Sequence, residues 1–281
     1  YIAVEMAHFF DAMGTDVAIV GGGDVLMDRE DRAVAERLTE VYAERHDLHL
    51  GYRATALAAD GDDRVVTAEA EDGDTVTVRG DAVLLATGRR PNTDTWDVAA
   101  AGIDTDEAGF VRTDDALETS VDGVFAIGDI AGNYMLKHSG DHEAECVVET
   151  LTGEGRRPAT YPGMAHAVFG SPQVASLGET EADLDGVEYG TATYRYDETA
   201  LGETLDHDGG FAKAVVGSDA EVLGCHVVGP HASTLVHEVS TAVAAGGDAE
   251  DVATAIHVHP ALSEVVQGAF RRALDAELSG I

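Results

Sequence analysis

The chain has 281 residues, 44% of them hydrophobic, a length that suits about two domains at roughly 100–200 residues each. Fifty-three acidic residues against seventeen basic ones give a formal net charge of −36, and lysine occurs only at Lys137 and Lys213. That sign excludes nucleic acid and anionic membrane as main partners, because both demand clustered positive charge. No apolar run approaches the roughly 18 residues of a membrane span, and the even spread of acids points to a salt-adapted cytoplasmic protein.

Residues 2 to 13, IAVEMAHFFDAM, space Ile2, Met6, Phe9, Phe10 and Met13 as one helical face, and Gly14 follows as a stop. Val17 to Val20 reads as a short buried strand, residues 31 to 45 as a second helix, and residues 48 to 52 as another strand. From 64 to 87 the pattern becomes short strands separated by DGD and RGD turns, ending in the apolar AVLLATG. A doubly wound nucleotide domain opens with a strand and a glycine loop before its first helix. Here the helix is under way at residue 2, so the phosphate-binding glycines are expected upstream of Tyr1, in a longer polypeptide. Gly21, Gly22 and Gly23 instead follow what would be the second strand, and GGGDVL lacks the third glycine of GxGxxG, so the triplet reads as a turn. VFAIGDIAGN (124 to 133) reads as an apolar strand ending in Gly-Asp, followed by a helix to about Leu151 and a linker, TGEGRRPATYPG (152 to 163). Strands near 164–169, 191–196, 211–216 and 221–228 then alternate with helices at 232–245 and 261–276, an α+β pattern. Cys146 and Cys225 lie far apart with no CxxC spacing, which predicts two buried, unpaired thiols in a reducing compartment.

The stretch richest in chemistry is HVHPALSE (257 to 264). Pro260 fits the first turn of a helix whose apolar stripe is Leu262, Val265, Val266, Ala269, Phe270, Ala273 and Leu274. His259 stands just before that helix and Glu264 one turn in, where a carboxylate can orient an imidazole and stabilise its charged form. His257 and His259 lack a third ligand at metal spacing. In AIGD (126 to 129), Gly128 lets a ligand approach and Asp129 offers a carboxylate to hydroxyls, or else caps the next helix. In ATGRRPNT (86 to 93), Gly88 has room for a cofactor, while Arg89 and Arg90 are equally well explained as solvated surface.

Taken together, YIAVEMA (1–7), ATGRRPN (86–92), FAIGD (125–129), SPQVASLG (171–178), LGCHVVGP (223–230) and HVHPALSE resemble, in order and spacing, the class I pyridine-nucleotide disulfide oxidoreductases. That family includes glutathione reductase, dihydrolipoyl dehydrogenase and mycothione reductase. The resemblance implies an α/β fold with a doubly wound NAD(P)-binding domain (1–93), part of an FAD-binding domain (94–158) and an α+β dimerisation domain (159–281). It makes Tyr1 the aromatic gate over the flavin, with Ile2 and Glu5 near the nicotinamide and Gly88 lining the nucleotide site. Gly128 and Asp129 would hold the flavin, Asp129 at its ribityl chain, and Met135, Leu136, Lys137 and His138 would pass its ring. His259 would be the acid–base and Glu264 its partner, acting across a homodimer interface.

The family also carries an upstream FAD fingerprint and a CxxxxC redox pair, and neither occurs in these 281 residues. The resemblance therefore implies a piece of a longer enzyme, inactive by itself. Its cofactors would be FAD and either NADPH or NADH. Members preferring NADH usually have an acid at the position of Gly21, and those preferring NADPH an arginine near Gly22, so losing the acid leans the reading toward NADPH. YMLKHSGDHEAE (134 to 145) looks more like mycothione reductase and related low-molecular-weight thiol disulfide reductases than like dihydrolipoyl dehydrogenase, the alternative. Mercuric reductase fits less well, because the terminal LDAELSGI lacks its cysteine pair. A rival of another class is a non-catalytic dimerisation or nucleotide-binding module.

Overall fold

The computed structural model describes residues 1–153, 155–205 and 209–275. They form two compact units, one of residues 1–86 with 162–281 and one of residues 87–161.

In the first unit, α1 (Ile2–Ala12) buries Val4 and Ala7, and β1 (Ala18–Gly21) lies parallel to β2 (Asp47–Leu50) through α2 (Arg32–Ala43). Helix α2 starts where it does because the Asp31 carboxylate accepts the Ala33 N–H at 3.0 Å. A meander follows of β3 (Tyr52–Asp60), β4 (Asp63–Ala70) and β5 (Thr75–Gly80), so these strands begin well before residue 64.

The rest of this unit is a five-stranded antiparallel sheet ordered β6-β7-β10-β9-β8. Its strands are β6 (Ala165–Val168), β7 (Gln173–Gly178), β8 (Tyr189–Arg195), β9 (Phe211–Gly217) and β10 (Val222–Gly229). Side chains alternate across it. Ala175, Leu177, Ala212, Ala214 and Val227 face a core built with α6 (Ala232–Ala244), α7 (Ala249–Thr254) and α8 (Glu264–Ala273), where Val236, Val266 and Phe270 are buried. Val168, Val174 and Val228 face the other way, against Val4, Leu38 and Tyr42. Lys213 and Ser176 belong to that second face, where Lys213 meets Asp31 and Ser176 meets Glu30. Strand β7 and helix α7 were not expected from the sequence. The short helix α5 (Ala200–Thr204) completes the unit.

In the second unit, α3 (Thr93–Trp96) is a single turn and α4 (Lys137–Thr152) carries most of the regular structure. The strand expected here at VFAIGD does not form, nor does the one expected at AVLLATG, whose residues 82–86 belong to the first unit. Residues 82–86 are irregular, and Phe125 makes only an isolated bridge to Glu118. Apolar runs of this kind pair on both edges inside a parallel sheet. Among the described residues no strand flanks either run, and Leu84 and Leu85 remain 54% and 74% exposed. No helix of the described residues is long and apolar enough to cross a membrane.

Candidate functional site

The loop after α7 is fastened from α8. Gln267 Nε2 donates to the Ala253 and Ala255 carbonyls, and Arg271 Nε donates to Ala253 O at 2.7 Å. His257 Nε2 meets Glu238 Oε2 at 2.8 Å and its Nδ1 meets Ala255 O at 3.1 Å. Both neighbours are acceptors, which favours the protonated ring, and the hydrogen bond to Glu238 raises the pKa of His257. His257 is thus held by a carboxylate and a backbone carbonyl, and among the described residues no cluster of three metal-ligating side chains exists.

Two residues on, His259 Nδ1 lies 2.9 Å from Glu264 Oε1, while Glu264 Oε2 accepts the Ala261 N–H at 2.9 Å. Glu264 is almost fully buried, whereas the His259 side chain is 58% exposed. Burial by itself would raise the Glu264 pKa. The Ala261 N–H, the hydrogen bond from His259 and the charges of His259 and His257 outweigh it and hold the carboxyl below its usual range. With Nδ1–H committed to Glu264, His259 presents Nε2 outward, the atom free to take or give a proton. A cavity of about 600 Å³ opens beside these residues. The expected helix start is corrected here. Pro260 lies ahead of the helix, and Glu264 is its first residue rather than one turn in, because its carboxylate closes the turn 261–264 before α8 begins. The expected helix end at 276 is corrected as well: α8 stops at Ala273 with Leu274 as its C-cap, and Asp275 has a left-handed backbone; the last six residues of LDAELSGI lie outside the described residues.

Tyr1, Ile2 and Glu5 share the first turn of α1. Glu5 Oε1 accepts the Phe169 N–H at 3.0 Å, and the Tyr1 hydroxyl donates to Glu30 Oε1 at 2.7 Å. Glu30 is buried and also accepts from His166 Nε2 at 2.8 Å and Ser176 Oγ at 2.6 Å. Burial opposes its ionisation, yet the three donors and the His166 charge bring its pKa down to about 2. Burial and the Glu30 charge push the Tyr1 hydroxyl upward.

The glycine triplet is a packing feature. None of the three has a positive φ. A Cβ at Gly21 would stand 3.2 Å from Leu50 Cδ2, one at Gly22 3.3 Å from Arg53 Cγ and Cζ, and one at Gly23 3.2 Å from Asp28 Oδ2.

In the second unit, Gly88 and Gly128 have φ of +97° and +70°, with no atom within 4 Å of where a Cβ would stand. Asp129 is exposed and forms no hydrogen bond or ion pair with the described residues. It does not cap α4, whose N-cap is Leu136. Open backbone beside an unpartnered carboxylate fits the hydroxyl-bearing chain of a flavin. Met135 is exposed, Leu136 precedes α4, and Lys137 and His138 open that helix, with Lys137 paired to Asp141. The Gly128 turn hangs on buried Glu143, which accepts the Gly128 N–H at 2.6 Å and the Tyr161 hydroxyl at 2.7 Å. Cys146 and Cys225 are buried and unpaired, and burial pushes the Cys225 thiol up to about 12.

Glu30, Glu143, Glu238 and Arg53 were not singled out from the sequence. Only a carboxylate on an otherwise packing face of α4 or α6 marks Glu143 and Glu238 in advance; Glu30 lies in the loop before α2 and carries no such signal.

Two family profiles match, each described as pyridine nucleotide-disulphide oxidoreductase: the first over residues 1–144, and its dimerisation domain over residues 164–270. The chain is 36% identical to dihydrolipoyl dehydrogenase of Halobacterium salinarum, covering 98% of this chain and 58% of that protein. Identity to dihydrolipoyl dehydrogenase of Bacillus subtilis is 31%, over 99% of this chain and 60% of the relative. Among solved structures, LpdA of Mycobacterium tuberculosis superposes with a TM-score of 0.85 at 27% identity, covering 96% of this chain and 59% of that one. The HOCl-induced flavoprotein disulfide reductase RclA of Escherichia coli gives 0.84 at 25% identity, covering 96% and 62%. The chain thus spans a little under two thirds of the proteins it resembles, and it belongs to the pyridine nucleotide-disulphide oxidoreductase family.

Proposed function

We propose that this chain forms part of a flavin-dependent NAD(P)H:disulfide oxidoreductase working as a homodimer in a salt-rich cytoplasm. Residues 1–93 serve the pyridine nucleotide, 94–158 the flavin and 159–281 dimerisation. FAD, when bound, supplies two-electron exchange between the nicotinamide and sulfur. Tyr1, Ile2 and Glu5 border the nicotinamide; Gly88, Gly128, Asp129 and residues 135–138 border the flavin.

The observation that carries the reading is the His259–Glu264 pair. Glu264 fixes the Nδ1–H tautomer, so Nε2 accepts a proton from a substrate thiol, or in the opposite direction protonates the leaving thiolate. The redox cysteines lie outside these 281 residues, which contain no CxxxxC. His259 serves the sulfur centre of the second protomer. The match to a dimerisation domain supports this, as do Ile256 and Val258, 102% and 75% exposed on the same loop, apolar side chains suited to contact with a second copy. For the substrate, the relatives' name favours dihydrolipoamide, while residues 134–145 favour a low-molecular-weight thiol disulfide.

The test is His259→Gln in the full-length, flavin-loaded protein, assayed with dihydrolipoamide and with small disulfides. Flavin is retained and turnover drops by about 10²–10⁴-fold, the contribution of a positioned acid–base. Turnover near that of the parent would refute the role, and the substrate that is turned over decides between the two readings.

A further inference from the structure

The cavity of about 600 Å³ beside His259 has an arginine in its wall. Glu264, Gln267 and Arg271 follow one another at i, i+3 and i+7 along one face of α8, and all three line the cavity with His259. Arg271 Nε–H donates to Ala253 O at 2.7 Å, which sets the direction of a half-buried guanidinium. Its Nη groups are uncommitted: among the described residues Arg271 has no ion pair and no second hydrogen bond.

The next residue shows the contrast. Arg272 donates to Thr193 O at 2.7 Å and to Glu198 Oε1 at 2.8 Å, and lies 4.6 Å from the centre of the Tyr194 ring. The acids attached to the cavity lining are spent as well. Glu264 gives its two oxygens to His259 and the Ala261 N–H, and Glu238 gives one to His257 while its other oxygen is buried without a partner. In a chain with three acids for every base, an arginine pinned by one N–H keeps its remaining planar donors open on a cavity of ligand size. That donor set matches a carboxylate.

We propose that Arg271 is a specificity-determining residue for the substrate, binding a carboxylate on the small dithiol or disulfide whose sulfur meets His259 Nε2 and selecting acidic over neutral substrates. This rests on the proposed role of His259 and narrows the substrate class which that role leaves open.

Dihydrolipoate and dihydrolipoamide carry the same dithiol and differ in a carboxylate against an amide, so the ratio of their kcat/KM values reads that one group. The full-length, flavin-loaded protein and its Arg271→Gln, Arg271→Lys and His259→Gln variants are assayed on both, with NAD+ or NADP+ in excess at fixed ionic strength. The parent is expected to favour dihydrolipoate by about 10-fold, the low end for one charge-assisted pair, and to do so through KM. Arg271→Gln should abolish the preference by raising KM for the acid while kcat and the amide stay unchanged, and Arg271→Lys should keep part of it. No preference in the parent, an equal loss on both substrates in Arg271→Gln, or a variant dimer that dissociates in sedimentation would overturn the role of Arg271 and leave His259 in place. A parent that turns over neither dithiol, or a His259→Gln variant as fast as the parent, would overturn the underlying reading with it.

Discussion

Glu264→Gln tests the candidate acid–base pair without removing its atoms. In the native arrangement one carboxylate oxygen takes His259 Nδ1–H and the other takes the Ala261 N–H, both at 2.9 Å. Glutamine offers one acceptor and one donor, so a single native bond survives. The Ala261 N–H belongs to the backbone ahead of α8 and cannot turn away, whereas the half-exposed imidazole can. The amide oxygen therefore keeps Ala261, and the amide NH2 faces His259. Nδ1 must then present its lone pair, which moves the ring proton to Nε2 and removes the base from the atom proposed to face substrate. The stability cost is about 1 kcal/mol, one exchanged hydrogen bond. Turnover falls by about 10²–10⁴-fold, as when an orienting carboxylate is replaced by its amide. The pH dependence has a fixed sign. The pKa of Glu264 is depressed in the folded state, so the stability it contributes is present above its unfolded pKa and is lost as pH falls through the folded value. Glu264→Gln lacks that acid-side loss. Steady-state turnover, flavin absorbance and thermal unfolding against pH measure all three. A variant that keeps flavin and turns over within about threefold of the parent would refute the tautomer argument.

Three further outcomes are expected. Glu30→Gln sets an NH2 against one of the three donors of a buried carboxylate and costs about 1–3 kcal/mol near neutrality; because the pKa of Glu30 is about 2, variant and parent should converge in acid-unfolding curves as pH falls from the usual carboxylate range toward that value. Lys213→Met strips the buried Asp31 of the ammonium 2.8–2.9 Å from both its oxygens and should cost about 3–5 kcal/mol in thermal unfolding, with a loss under about 1 kcal/mol counting against the buried pair. The double variant Ile256→Glu, Val258→Glu adds charge to the loop assigned to the interface and should sediment as a monomer that keeps flavin and loses turnover; an intact, active dimer would sink that assignment.

What the sequence disclosed follows the range of the interactions involved. His259 and Glu264 are five residues apart, and a histidine before a helix with an acid in its first turn is visible in one line of text. Glu30, His166 and Ser176 meet across 136 and 146 residues, and nothing local marks any of them. Strand β7 escaped because VASL fills both faces of the sheet, so no polar–apolar alternation remains, and Ser176 is kept buried by Glu30. Helix α7 has only six residues, set by the Asp248–Asp251 capping box rather than by an apolar stripe. The opposite failures, AVLLATG and VFAIGD, have the composition of central strands; composition supplies the apolar faces and not the backbone partners on either edge.

An acid-rich surface invites the view that carboxylates here serve only solubility, yet the three that order the candidate sites are buried. Glu264 holds the His259 loop, Glu143 the Gly128 turn and Glu30 the Tyr1 hydroxyl, and each is filled by several N–H or O–H donors with no lysine or arginine among them. Multiple donors stabilise an ionised carboxylate in a dry site and fix its direction, whereas one long basic side chain would neutralise it and leave it free to swing. The scarce cations act elsewhere: Lys213 on buried Asp31, Arg272 over the Tyr194 ring, and Arg53 across Gly22. The negative exterior and the ordered sites are therefore separate uses of the same residue type, told apart by whether the carboxylate faces water or a closed set of donors.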